Sequence, residues 1–249
     1  MPALLDADRG TAFPDPELAL RDPDGLLAIG GDLSPARLLQ AYRQGIFPWY
    51  SHGQPILWWS PDPRLVFRTD RLHLSRRFRR ALRRSRWQVV ADRDFAAAID
   101  ACAAAPRPGQ AGTWITPPMR EAYLALHRLG HAHSIEVREG DALVGVLYGV
   151  AVGRMFFGES MASLRPGGSK VALAALALRL HGWGWPLLDA QVENPHLLRL
   201  GAERWPRRRF LEQVAALAAM PAPAGDWRAR FGSIAAAALS DRPCGPAAA

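Results

Sequence analysis

Residues 45–64, GIFPWYSHGQPILWWSPDPR, carry four prolines and three tryptophans, Trp49, Trp58 and Trp59. Proline has no N–H to give to a helix or a ladder and fixes its own backbone angle. A segment this rich in it is expected to resist forming a buried helix or strand. The tryptophans nevertheless bring a large apolar area that must be covered. The segment therefore constrains the chain more than any other stretch. The expected boundary falls after it, between a small N-terminal domain (1–65) and a larger one (66–249).

Hydrophobic residues fill 49% of the 249 positions, enough for a sizeable core. No run of about 18 apolar residues appears, so no membrane span is expected. The start, MPALLDADRG, lacks a basic region followed by an apolar stretch, so no secretory signal is expected. Cys102 and Cys244 make neither a disulfide scaffold nor a zinc site. A cytoplasmic protein fits these features. The net charge is +8, from 31 basic and 23 acidic residues, with Lys170 the single lysine. A GC-rich genome explains arginine in place of lysine but not the surplus of bases. That surplus favours a polyanionic partner, most simply nucleic acid.

Along the chain, SPARLLQAYRQG reads as a helix capped by Ser34, entered at Pro35 and stopped at Gly45. RLVF (64–67) and WQVVA (87–91) read as strands; SRRFRRALRRSR (75–86), DFAAAIDACAA (94–104) and MREAYLALHRLG (119–130) read as helices. PRPGQAG (106–112) reads as a loop. HSIEVREGDALVGVLYGVAVG reads as a hairpin turning at Gly140-Asp141, with RMFFGES (154–160) as a further strand. KVALAALALRLHG (170–182) and RRFLEQVAALAAM (208–220) are expected helices on either side of the strand PLLDAQV (186–192). NPHLLRLGAERWP reads as a short helix and a turn. The Pro/Ala-rich tail from 221 is expected to be loosely held. Helices interleaved with a hairpin-rich sheet indicate a mixed α/β (α+β) fold, of acyltransferase-like type.

Arg76, Arg79, Arg80, Arg83 and Arg84 share one face at helical spacing, while Phe78 and Leu82 can anchor the other. Like charges this close repel unless phosphates come between them. A second cluster, Arg204, Arg207, Arg208 and Arg209, is equally consistent with a solvated face. In DAQVEN, alternation puts Asp189 and Gln191 on one side of a strand, where the carboxylate can accept from the glutamine NH2. Asp189 and Asn194 acting as turn caps is the simpler reading of the same spacing. His131 and His133 lack an obvious third metal ligand and are expected to be structural. Ser160 lacks the G-x-S-x-G setting of a serine hydrolase. RPGGSK resembles the phosphate-cradling loop of acetyl-CoA acetyltransferases but ends in Lys170 where a small residue is wanted.

Several stretches, in this order, resemble the bacterial leucyl/phenylalanyl-tRNA–protein transferases: GLLAIGGDLSPARLLQAYRQGIFPWY (25–50), ILWWSPDPR (56–64), GTWIT (112–116), GHAHSIEV (130–137), LVGVLYGVAVG (143–153), FFGESM (156–161), SK (169–170) and LLDAQV with Asn194. The resemblance covers roughly residues 12–210. It implies a small N-terminal domain on an acetyltransferase-like domain. It also implies transfer of leucine or phenylalanine from Leu-tRNA or Phe-tRNA to the N-terminal Arg or Lys of a protein, marking it for degradation. No metal, no coenzyme A and no other cofactor is implied, nor any membrane; a monomer is expected.

By this resemblance, Trp49 and Trp114 form the site for the terminal adenosine, and Leu147, Phe156 and Leu176 line the aminoacyl pocket. Asp189 and Gln191 are the expected catalytic pair, with Asp189 polarising the Gln191 amide; the proton passes either to Asp189 through that relay or through the ribose 2′-hydroxyl of the substrate. Glu159, Ser160 and Asn194 bind substrate groups, and the five arginines of the basic helix contact tRNA phosphates. Trp58 and Trp59 are expected to wedge the two domains together. The alternatives are an acetyl-CoA-dependent N-acetyltransferase and a non-catalytic RNA-binding module.

Overall fold

A computed structural model describes residues 1–7, 10–106, 113–222 and 226–241. In chain order the elements are Ala3–Leu5 (β1), Leu26–Gly30 (β2), Pro35–Arg43 (α1), Phe47–Pro48 (β3), Leu57–Trp59 (β4), Arg64–Arg68 (β5), Arg76–Leu82 (α2), Gln88–Ala91 (β6), Phe95–Ala104 (α3) and Pro117–Arg128 (α4). They continue with Ala132–Glu139 (β7), Ala142–Val152 (β8), Met155–Ser163 (β9), Gly168–Gly182 (α5), Leu187–Gln191 (β10), Pro195–Arg199 (α6), Glu203–Trp205 (β11), Arg207–Ala219 (α7), Trp227–Phe231 (α8) and Ser233–Ala235 (β12). The mixed α/β class expected from the sequence is what forms. A small sheet has the order β1-β2-β4-β3, and a large one β11-β5-β10-β9-β8-β7-β6-β12.

The large sheet is buried on both faces, which is why its strands read as nearly continuous apolar runs. Side chains alternate between two apolar clusters. Val66, Val146, Tyr148, Phe157 and Leu187 join one, with α1, α3, α4 and the small sheet. Leu65, Phe67, Leu147, Phe156 and Leu188 join the other, with α5. The period-two pattern thus sorts most positions between two layers, and it slips where β8 and β9 carry register shifts, at Val144 and at Glu159.

The Trp/Pro segment departs from expectation. It does contain a buried strand: β4 sits between β2 and β3, and Trp58 is fully buried there, donating its indole N–H to Gly30 O at 2.9 Å. The prolines do not interrupt β4 because they bracket it. Pro48 lies on the edge strand β3, Pro55 precedes β4, and Pro61 and Pro63 follow it.

The tail is the second correction. Residues 226–241 are folded, not loose: α8 leads into β12, which ends the large sheet beside β6, and the 3-10 turn Ala236–Asp241 follows. The physical reason lies in α5, which is apolar around most of its circumference and must be covered on all sides. Phe231, Ala236 and Leu239 are fully buried in the same cluster as α5. Residues 107–112, expected as a loop, and the tail positions 223–225 and 242–249 lie outside the described residues. The strand β11 forms where the sequence pattern indicates a turn. Among the described residues, no helix is long and apolar enough to cross a membrane.

Candidate active site

β10 runs parallel to β9 only through the pairs Leu188↔Phe156 and Asp189↔Phe157. Immediately afterwards its register against β5 shifts between Asp189 and Gln191. The β9–β10 pairing ends there, and a cavity of about 630 Å³ opens where the ladder stops. Trp114, Leu147, Glu159, Ser160, Asp189, Gln191 and Asn194 all line it. Three residues expected in the site are not among its lining. Phe156 and Leu176 are fully buried in the core cluster that also holds Leu147. Trp49 is half-buried, with its ring 5.8 Å from that of Trp59 and its carbonyl accepting the Trp59 indole N–H at 2.6 Å. Met161, Leu173 and Leu188 supply apolar wall instead. Leu173 lies on α5 three positions before Leu176, and Leu188 precedes Asp189, so strand and helix periodicity could have found both. A second cleft, about 620 Å³, is walled by Leu33, Tyr50, Ile56, Pro117, Pro118 and Ala122 and has no carboxyl in its lining.

The Asp189 carboxylate does not hold the Gln191 amide. It is fully buried and takes a bidentate pair from Arg64, Nε to Oδ1 at 2.8 Å and Nη2 to Oδ2 at 2.7 Å. Arg64 lies between the rings of Phe47 and Phe210, at 4.7 and 4.6 Å. One ion pair thus ties β3, β5, β10 and α7 together. Asp189 reaches Gln191 only through the backbone: Oδ1 accepts the Gln191 N–H at 3.0 Å. This bond supports an unusual conformation, since Gln191 sits at φ +61°, a left-handed geometry that costs a non-glycine residue free energy. Alternation fails at this point because of the register shift, so spacing alone could not place the two side chains.

The carboxyl that does hold the Gln191 amide is Glu159, whose Oε1 accepts from Nε2 at 2.8 Å. Glu159 also meets Tyr42 Oη from α1 at 2.8 Å and Tyr123 Oη from α4 at 2.7 Å, and the two phenol oxygens are 2.6 Å apart. Burial pushes its pKa up to about 7, with the nearby Asp189 charge adding to the rise. Arg64, Tyr42 and Tyr123 hold the two carboxyls of the site, although nothing in the sequence around them marks them for that contact. Tyr42 lies on the apolar face of a capped helix, where an aromatic reads as core, and nothing local marks it as polar.

On α2 and in the turn after it, Arg76, Arg80, Arg83 and Arg84 are exposed, and none has a carboxylate within 4 Å among the described residues. Arg79 is half-buried, so the expected five-residue face presents four free heads. The helix is also shorter than expected, ending at Leu82 with Arg83 as its C-cap. In the second cluster, Arg204 pairs with Glu193, and Arg207 is buried with Nη1 donating to Ser60 O at 2.7 Å. Arg209 stacks 3.8 Å above Trp205, so much of this cluster serves packing. His133 is structural as expected: Nδ1 meets Asp92 Oδ2 at 2.7 Å and the ring stacks on Trp227. The glycines of RPGGSK serve close packing, since a Cβ on Gly168 would lie 2.1 Å from Val144 O.

Comparison with known proteins identifies the family. The family described as leucyl/phenylalanyl-tRNA protein transferase matches residues 66–215, and its N-terminal domain matches residues 31–62. The leucyl/phenylalanyl-tRNA–protein transferase of Xanthomonas euvesicatoria pv. vesicatoria (strain 85-10) is 67% identical over 96% of this chain and 96% of its own. That of Xylella fastidiosa (strain M12) is 64% identical over 92% and 94%. A solved structure of a functionally unknown conserved protein from Staphylococcus epidermidis overlaps with a TM-score of 0.39 at 12% identity, over 73% of this chain and 68% of that one, too distant a likeness to inform the fold. With both parts of the family pattern matched and near-complete relatives at two-thirds identity, the chain belongs to the leucyl/phenylalanyl-tRNA–protein transferase family.

Proposed function

We propose that the cavity between β9 and β10 is where an aminoacyl-tRNA ester meets the α-amine of a protein N-terminus. The protein transfers leucine or phenylalanine from tRNA to that amine, forming a peptide bond. The observation that carries this reading is the cavity itself: apolar walls at Leu147, Leu173 and Leu188 end at a polar rim of Glu159 and Gln191. The apolar part takes the aminoacyl side chain, and such a pocket separates leucine from phenylalanine only weakly. Trp114, on the same wall, offers a ring on which the terminal adenine stacks, an interaction worth roughly 1–3 kcal/mol.

The neutral amine attacks the ester carbonyl. A C–N bond forms, the bond to the ribose 3′ oxygen breaks, and one amine proton must reach that oxygen. Gln191, its NH2 held by Glu159, turns its carbonyl towards the amine and orients it. Asp189 is ill-suited to take the proton because both its oxygens already accept from Arg64. The ribose 2′-hydroxyl is the remaining route, passing the proton to its 3′ neighbour. Among the described residues lining the cavity, Glu159 is the carboxyl without a cationic partner. It is where the Arg or Lys side chain of the acceptor would be read. The test is transfer of labelled leucine from Leu-tRNA to peptides beginning with Arg, Lys or Glu. Transfer to the first two and not the third is expected; binding of tRNA with no transfer to any peptide overturns the reading.

The free heads of Arg76, Arg80, Arg83 and Arg84 suit the phosphates of the tRNA, read without regard to sequence. Reversing all four to glutamate is expected to weaken tRNA binding and to flatten its salt dependence by roughly 0.7–0.9 in log–log slope for each phosphate that is no longer neutralised. Affinity measured over a salt series checks this. An unchanged slope would place the tRNA on another surface.

A further inference from the structure

Tyr42, Tyr123 and Glu159 make three short oxygen–oxygen contacts in a closed triangle, at 2.6, 2.7 and 2.8 Å. Each phenol carries one proton, and an ionised carboxylate carries none. An ionised Glu159 would therefore leave two protons for three contacts. One pair of oxygens would face each other lone pair to lone pair inside a buried site, which is unfavourable. Ionising a phenol would remove a further proton, and burial with the neighbouring carboxyl keeps both phenols protonated by raising them well above the usual tyrosine range. A protonated Glu159 supplies the missing proton. Oε2–H donates to Tyr123, Tyr123 donates to Tyr42, and Tyr42 donates to Oε1, which still accepts from the Gln191 amide.

We propose that Glu159 is protonated in the free protein and closes a three-proton ring with Tyr42 and Tyr123, making it a neutral positioning residue for Gln191. The reading of what Gln191 then does rests on the aminoacyl-transfer function above; the ring does not. The groups that face this carboxyl are Tyr42 from α1, Tyr123 from α4, Asp189 from β10 and, through the tyrosines, Tyr148 from β8. Asp189 is neutralised by Arg64 from β5. Of the other elements packed on β9, α3 buries Phe95, Ala98, Ile99 and Cys102, α5 buries an apolar face with Ser169, and α7 buries Phe210, Val214 and Arg207, whose guanidinium is turned to Ser60. A cationic side chain arriving beside Glu159 favours the ionised form, so acceptor binding would release this proton.

The sign of the pH effect follows from a folded-state pKa raised from 4.5 to about 7. The stability contributed by the bound proton is fully present below the unfolded value and is lost as pH rises through about 7. Glu159→Gln is a neutral mimic: its oxygen accepts from Tyr42 and Gln191, and its NH2 donates to Tyr123. Urea unfolding of wild type and Glu159→Gln is compared at about pH 5.5 and about pH 8.5. The wild type is expected to lose at least about tenfold in folding constant relative to the variant between the two. A wild-type-to-variant ratio that stays constant within about twofold overturns the proposal. Should Glu159→Gln fail to fold, carboxyl-carbon NMR of glutamate-labelled wild type decides. One glutamate in the protonated state at about pH 6 that titrates near 7 is expected, and ordinary carboxylate shifts for every glutamate at that pH overturn the proposal. Neither readout involves tRNA, so failure of the ring and failure of the transfer function are separable.

Discussion

Asp189→Ala is expected to destabilise the protein by about 3–5 kcal/mol, the cost of stranding one member of a buried ion pair. Arg64 would be left fully buried, with its charge uncompensated between Phe47 and Phe210. The left-handed turn at Gln191 would lose the acceptor of its backbone N–H at the same time. The double variant Arg64→Met/Asp189→Val removes both charges and is expected to recover at least half of the loss, because no buried charge remains unpaired. Urea denaturation of the single and double variants checks both statements. A loss below about 1 kcal/mol for Asp189→Ala would mean that the pair does not hold β5 against β10. The expectation also bears on function. Any fall in transfer by this variant must be corrected for folded protein before Asp189 is assigned a part in chemistry.

Gln191→Ala is expected to lower leucine transfer at least about a hundredfold while leaving stability within about 1 kcal/mol of wild type. The two effects separate because the side chain of Gln191 is half-buried at the cavity and its strained backbone is held by Asp189, not by its own amide. Alanine keeps the same backbone strain, so little changes in the fold. What disappears is the carbonyl that orients the attacking amine, and with it the near-attack geometry. Single-turnover transfer from Leu-tRNA to an Arg-starting peptide measures this directly. A variant within about fivefold of wild type would assign the orientation of the amine to another group.

The strands and helices are largely legible from local pattern. Ser34, Asp94 and Thr116 cap the helices that begin after them, and the hairpin turns at Gly140-Asp141 as its sequence indicates. The nearly continuous apolar run LVGVLYGVAV is enough to bury a strand on both faces. The candidate residues Glu159, Asp189, Gln191 and Trp114 are reached through motifs, and the cavity brings them together. Their contacts are not legible. Asp189 takes its partner from 125 residues away, and Glu159 takes its tyrosines from 117 and 36 residues away. Side-chain periodicity reports which face a residue occupies in a regular strand, and register shifts at Glu159 in β9 and after Asp189 in β10 break that rule where chemistry needs it. The tail departs from expectation for a related reason: α5 needs cover on every side, and only the packed structure shows that residues 226–241 provide it. Local propensity, capping and apolar patterning are properties of neighbours in the chain, so the sequence by itself determined most of the helices and the long strands, but not β4, β11 or the folded tail. Proton count, charge pairing and the opening between β9 and β10 depend on groups far apart in the chain, and these only the tertiary structure decided.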